Sequence, residues 1–210
     1  MPLLSIDPQT PDADVIAQAA DWLRRRGIVA YATDTFYGLA VDPASKTAVA
    51  ALFALKGRPA HLAMPLVAAS TAQVDSWCGG LDPASARLAR VFWPGPLSLI
   101  VDVPPGVVDA VHGGVRSVAI RVPGHVVARA LAESFGSPIT ATSANRSGAV
   151  PASVAGALGA IADDPQVLVI DSGSTPGGEP STIVDARHAP PRLVRAGAVA
   201  WERVLDSIHP

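Results

Sequence analysis

Apolar residues recur along this chain in two alternating rhythms, a three-to-four-residue spacing and short unbroken runs. Thr10-Pro11-Asp12 supplies an N-cap, a proline at the first helical position and an acid in the first turn. Val15, Ile16, Ala19 and Leu23 then share one face, and Gly27 ends the helix. A buried strand over 28–32 runs into Thr33-Asp34-Thr35-Phe36-Tyr37-Gly38-Leu39, dense in hydroxyls. Helical spacing returns over 45–56, with Val49, Leu52 and Phe53 inward and Gly57 as the stop. Residues 64–69 read as a strand, and Asp82-Pro83 opens a helix whose inner face is Leu88, Val91 and Phe92. Trp93-Pro94-Gly95-Pro96 is a rigid turn before a strand over 97–103; 104–114 is a loop and 117–122 a strand.

Pro123-Gly124 opens a further helix with Val127, Leu131 and Phe135 aligned and Gly136 as its end. The stretch 138–148, Pro-Ile-Thr-Ala-Thr-Ser-Ala-Asn-Arg-Ser-Gly, begins as a β-branched run and ends in turn-forming residues. A helix over 153–162, a strand over 167–171, a glycine-rich loop over 173–180, strands over 181–185 and 192–195 and a helix carrying Trp201, Val204, Leu205 and Ile208 complete the chain. Interleaved strands and helices predict an α/β fold, and short turns between neighbouring strands favour a twisted, open, mixed sheet with flanking helices. No repeat or linker divides the 210 residues, so one domain is expected over 1–210, with its core at about 12–200.

Composition then narrows the function classes. Charged residues make up 16% of the chain and the net charge is −2, so any surface for nucleic acid must be local. Cys78 stands alone, which excludes a disulfide within the chain and a cysteine-based zinc site, and it reads as a buried thiol. Residues 1–10 carry no basic segment followed by an apolar run, and no stretch is long and apolar enough to span a bilayer. A cytoplasmic protein with no membrane contact is expected. Phosphate-loop, dinucleotide, nucleophile-elbow and zinc-protease motifs are all missing, and the five histidines share no metal-ligand spacing.

What remains is a set of hydroxyls and cations at element ends. Ser143 and Asn145, two apart, project to one side of an extended backbone and can read a polar edge, or can merely cap a loop. Lys56 and Arg58 close a helix; they suit either a phosphate clamp or a helix C-terminus with a solvated arginine. Arg121 inside an apolar run faces either solvent or an anion-binding cleft. The 33–39 run gathers two hydroxyls, a carboxylate, a phenol and a glycine, either for a ligand or as a turn in which Asp34 caps neighbouring amides, and Ser181-Thr182 repeat the hydroxyl theme or simply form an edge strand. Together they describe a cavity for a small molecule bearing phosphates and hydroxyls.

The successive motifs of residues 33–39, 56–59, 93–97, 118–123, 142–145, 180–185 and 193–197, over about 15–199, resemble those of the YrdC/TsaC family in family order. The resemblance implies a large concave cavity and an L-threonylcarbamoyladenylate synthase. Such an enzyme joins L-threonine, bicarbonate or CO2 and ATP into threonylcarbamoyl-AMP and pyrophosphate, for later transfer to tRNA by a separate complex. It also implies the short, single-domain form. By motif, Lys56, Arg58, Ser117, Ser143, Asn145 and Arg195 fall on the nucleotide side, with Lys56 and Arg58 as catalytic cations. Thr35, Arg121, Ala141 and Ser181, with Tyr37 close by, fall on the threonine side. No protein ligand for a metal is implied; Mg2+ arrives with ATP. Residues 59–66 and Ala69 depart from the family pattern. The rival reading is a non-catalytic RNA-binding or translation-associated relative, YciO-like, against which the intact Lys56-Gly57-Arg58 and Ser143-Ala144-Asn145 speak.

Overall fold

A computed structural model describes residues 3–57 and 63–208. Its elements run β1 (Leu3–Ser5), α1 (Ala13–Arg24), β2 (Ile28–Ala32), β3 (Tyr37–Ala40), α2 (Lys46–Lys56), β4 (Leu66–Val67), α3 (Thr71–Cys78), α4 (Pro83–Phe92) and β5 (Leu97–Asp102). They continue with α5 (Asp109–His112), β6 (Ser117–Arg121), α6 (Val126–Phe135), β7 (Ile139–Thr140), β8 (Thr142–Ser143), β9 (Val167–Asp171), β10 (Thr182–Asp185), β11 (Arg192–Arg195) and α7 (Trp201–Ile208).

The expected α/β alternation with mixed strand pairing is present, and the strands gather in two sheets. One has five strands in the order β1-β9-β2-β3-β8, the other six in the order β11-β10-β5-β6-β4-β7. Both mix parallel and antiparallel neighbours. The 138–148 stretch explains the division: β7 pairs with β4 in the larger sheet, β8 pairs with β3 in the smaller one, and Ala141 lies between them. Thr140 fixes the crossing, since its buried hydroxyl accepts from Val41 N at 2.8 Å while Ala141 N donates to Pro65 O at 2.8 Å.

Period-two alternation decides which faces meet. Leu97, Leu99 and Val101 of β5 and Val118 and Ile120 of β6 enter the core, together with Leu52, Met64 and Leu88. A second apolar cluster joins Ile16, Ala19 and Leu23 of α1 to Val127 and Leu131 of α6 over Val29 and Tyr31 of β2. Glycine is required at Gly57, whose φ of 59° turns the chain out of α2.

Several boundaries differ from the sequence reading. Asp12, not Thr10, caps α1, because its carboxylate accepts from Asp14 N at 2.8 Å and Val15 N at 3.2 Å. Residues 153–162 form two 3₁₀ turns (Ala155–Ala157 and Gly159–Ile161), Gly156 and Gly159 weakening a continuous helix. Val91 is exposed while Ala89 takes its expected inward place. β1, α3 and α5 were not anticipated, and Cys78 is only partly buried. No helix among the described residues is long and apolar enough to cross a membrane.

Candidate functional site

A cavity of about 600 Å³ lies between the two sheets. Tyr37, Gly38, Thr142 and Ser143 line it from the smaller sheet; Ser98, Ile100, Ser117, Ala119, Arg121, Ile183 and Arg195 line it from the larger. Alternation on β5 and β6 places Ser98 and Ile100, and Ser117, Ala119 and Arg121, on the face opposite the core-facing residues. The volume is that of a site for a cofactor-sized molecule.

Arg121 is only 7% exposed, and a cation so placed needs a partner. Asp34 supplies it from the turn between β2 and β3: Arg121 Nη1 donates to Asp34 Oδ2 at 2.8 Å and stands 2.6 Å from Oδ1. Gly124 N also donates to Oδ2, at 3.2 Å. Asp34 therefore braces the neighbouring sheet instead of capping its own turn, whose amide Thr35 N is taken by the Thr33 hydroxyl at 3.2 Å. One Arg121 nitrogen serves both carboxylate oxygens, which leaves the rest of the guanidinium for a ligand.

Arg195, on β11, grips Ser181: its Nε and Nη2 donate to Ser181 O at 3.1 and 2.6 Å, and Nη2 donates to Ser181 Oγ at 3.0 Å. Ser98 Oγ is 2.9 Å from the same hydroxyl. The loop after β11 packs against this point so closely that a Cβ on Gly197 would fall 2.1 Å from Pro180 O. Arg195 has no carboxylate partner among the described residues. Desolvation, and then the like charge of Arg121, pull its pKa below the usual arginine value. Two guanidiniums from the same sheet that repel each other, with the Asp34 carboxylate paired to Arg121 alone, leave the cavity short of negative charge among the described residues.

Lys56, at the end of α2, is 3% exposed and turns inward. Its ammonium donates to Ser143 O, to Asn145 O at 2.7 Å and to Asn145 Oδ1 at 3.3 Å. Ser143 Oγ donates to Asn145 Oδ1 at 2.5 Å, and Ser147 N donates to Lys56 O at 2.8 Å. Lys56, Ser143 and Asn145 thus form one knot at the edge of the cavity.

Of the residues singled out from sequence, Thr35, Tyr37, Ser117, Arg121, Ala141, Ser143, Ser181 and Arg195 line this one cavity. Lys56 and Asn145 bond to Ser143, which lines it. Arg58 falls outside the described residues. Tyr37 is buried with its hydroxyl 2.8 Å from Gly173 O and 3.2 Å from Asp171 Oδ1, and burial followed by the Asp171 charge pushes its pKa up to about 12. It supports the wall with its ring. Sequence reasoning passed over Ser98, whose signal was a lone hydroxyl in an apolar strand, and did not find Arg121 as the partner of Asp34. Among the described residues no three His, Cys, Asp or Glu side chains stand close enough together to hold a metal ion.

Residues 21–197 match the family model Sua5_yciO_yrdC, described as "Telomere recombination". A threonylcarbamoyl-AMP synthase of Pyrococcus abyssi is 34% identical over 186 residues, covering 89% of this chain and 55% of its own length. The threonylcarbamoyl-AMP synthase of Thiobacillus denitrificans is 36% identical over 164 residues, covering 78% of this chain and 87% of its own. The crystal structure of P. abyssi Sua5 complexed with L-threonine superimposes with a TM-score of 0.89 at 32% identity, over 99% of this chain and 61% of that one. The chain therefore spans little more than half the length of the Pyrococcus relative.

Proposed function

The chain belongs to the Sua5–YciO–YrdC family, and on that premise we propose that it is a threonylcarbamoyl-AMP synthase, joining L-threonine, bicarbonate or CO2 and ATP into threonylcarbamoyl-AMP and pyrophosphate. The observation that carries the reading is the shared cavity. Two guanidiniums and the hydroxyls of Thr35, Ser117, Ser143 and Ser181 surround apolar walls, which suits a small amino acid beside a polyanion. The threonine carboxylate would meet Arg121 and Ser181, with Thr35 and Ala141 around the rest of the amino acid and Tyr37 buttressing them. The nucleotide would run past Ser117, Ser143 and Arg195, with Lys56, Arg58 and Asn145 on the phosphate side.

Among the described residues no group lining the cavity is placed as a covalent nucleophile, so the chemistry assigned to it is positioning and charge neutralisation. The threonine amine, as its free base, adds to CO2 and releases one proton to water, giving an N-carboxylate. One of its oxygens forms a bond to the α-phosphorus, and the bond from that phosphorus to the bridging oxygen breaks. Pyrophosphate leaves with the electron pair. Arg195 and Arg58 would offset the charge gathering on phosphate, while Lys56 holds the 143–145 backbone in place. Mg2+ would add further neutralisation when bound with ATP; phosphates and water would hold it, since Asp34 beside the cavity is committed to Arg121. The mixed anhydride formed is reactive toward an amine and suits transfer to the adenosine of a tRNA by a separate complex.

The test is pyrophosphate release by the purified protein with ATP, omitting L-threonine or bicarbonate in turn. Release that needs both supports the reading; tight RNA binding with no pyrophosphate formed overturns it in favour of an RNA-binding protein.

A further inference from the structure

The protons of the 33–37 turn can be counted. A threonine hydroxyl has one proton to give and two lone pairs to receive. Thr33 Oγ1 stands 2.8 Å from Phe36 O, which can only accept, so the proton of Thr33 goes there. Thr35 N donates to Thr33 Oγ1 at 3.2 Å and fills one lone pair. Thr35 Oγ1 lies 3.2 Å away on the remaining one, so it must be the donor in that contact. Thr33 is 4% exposed and lines the cavity, and its hydrogen-bonding capacity is complete.

The consequence falls on Thr35. With its proton committed to Thr33, its hydroxyl turns lone pairs alone toward the cavity. Gly177 N, donating to Thr35 O at 2.8 Å, holds the backbone of Thr35 against rotation. From the larger sheet the cavity receives the reversed polarity, because both Arg121 and Arg195 can only donate. The site therefore has an acceptor wall and a donor wall.

We propose that Thr33 is a positioning residue that fixes Thr35 as a hydrogen-bond acceptor, so that a bound amino acid presents an N–H or hydroxyl donor to Thr35 and its carboxylate to the guanidiniums. This deepens the threonine reading given above and rests on it. Thr33 has no hydrogen bond left to offer a substrate; it acts by removing the freedom of Thr35 to donate. Without Thr33's lone pair, the Thr35 hydroxyl can rotate and present its proton, and the site loses its preference for one orientation of the ligand.

The experiment is calorimetric titration of the purified full chain with L-threonine and, separately, with ATP. Wild type that binds ATP and no threonine would defeat the threonine reading itself. Given threonine binding, Thr33→Val should weaken it about tenfold, the scale of one hydrogen bond to a charged group, with ATP affinity within about twofold. Thr33→Ser, which keeps the hydroxyl, should recover wild-type affinity. Thr33→Val/Thr35→Val should bind threonine no worse than Thr35→Val, because the first residue works through the second. Repeating the series with L-2-aminobutyrate, which lacks the β-hydroxyl, assigns the donor. An unchanged Thr33→Val effect points to the amine, and a vanished one to the hydroxyl. Threonine affinity unaltered by Thr33→Val, or a double variant losing the product of the two single effects, overturns the proposal.

Discussion

Replacing Asp34 by alanine tests the cavity at its most exacting point. Arg121 is 7% exposed and Asp34 is the carboxylate beside it, at 2.6 Å, so the substitution leaves a guanidinium charge enclosed and unpaired. Removing one member of a buried ion pair costs about 3–5 kcal/mol. The open side of the cavity admits water to the rest of the guanidinium, which places the expected loss near about 3 kcal/mol. Gly124 N loses its acceptor as well. Urea unfolding of wild type, Asp34→Ala, Arg121→Met and the double variant gives the coupling directly. The double variant should recover most of what Asp34→Ala loses, because an apolar side chain there needs no partner. Asp34→Ala within about 0.5 kcal/mol of wild type, the range of an ordinary surface substitution, would refute the account of a buried pair, as would simple additivity in the double variant.

Three further outcomes follow from the same geometry. Tyr37→Phe should cost about 1 kcal/mol in urea unfolding through the lost bond to Gly173 O, while threonine affinity by calorimetry stays within about twofold. Lys56→Met should cut pyrophosphate release at least tenfold, about 1.4 kcal/mol, by loosening the carbonyls of Ser143 and Asn145, which steady-state kinetics would record. Burial holds His125 below its ordinary value of 6.5, so the folded chain takes up that proton later than the unfolded chain. The stability it contributes is complete above pH 6.5 and is lost as pH falls through the lowered folded value, so His125→Gln should flatten unfolding free energy between pH 7.5 and 5.5.

Local signals were legible in the sequence and long-range partners were not. Ser45, Gly57 and Gly136 marked helix ends because capping uses only neighbouring backbone. The hydroxyl and cation positions that line the cavity stood at strand ends, where a regular motif can be read. Asp34 could not be matched with Arg121, because nothing within a few residues records a partner 87 positions away. Lys56 could be read as a phosphate ligand or as a cation on its own helix end, since that end shows nothing of a strand that folds back over it. Ala89 displaced Val91 from the core through the way α4 packs, which propensity does not encode.

Ala141 has a mechanical meaning. The chain changes sheets there across a single residue that itself lines the cavity, so among the described residues the shortest covalent tie between the two sheets runs beside the binding space. A molecule held by Ser143 on one side and by Arg121 or Arg195 on the other ties the halves together a second time. Its binding energy becomes cohesion of the whole body, so occupancy slows amide exchange in both halves at once and far from any atom the molecule touches.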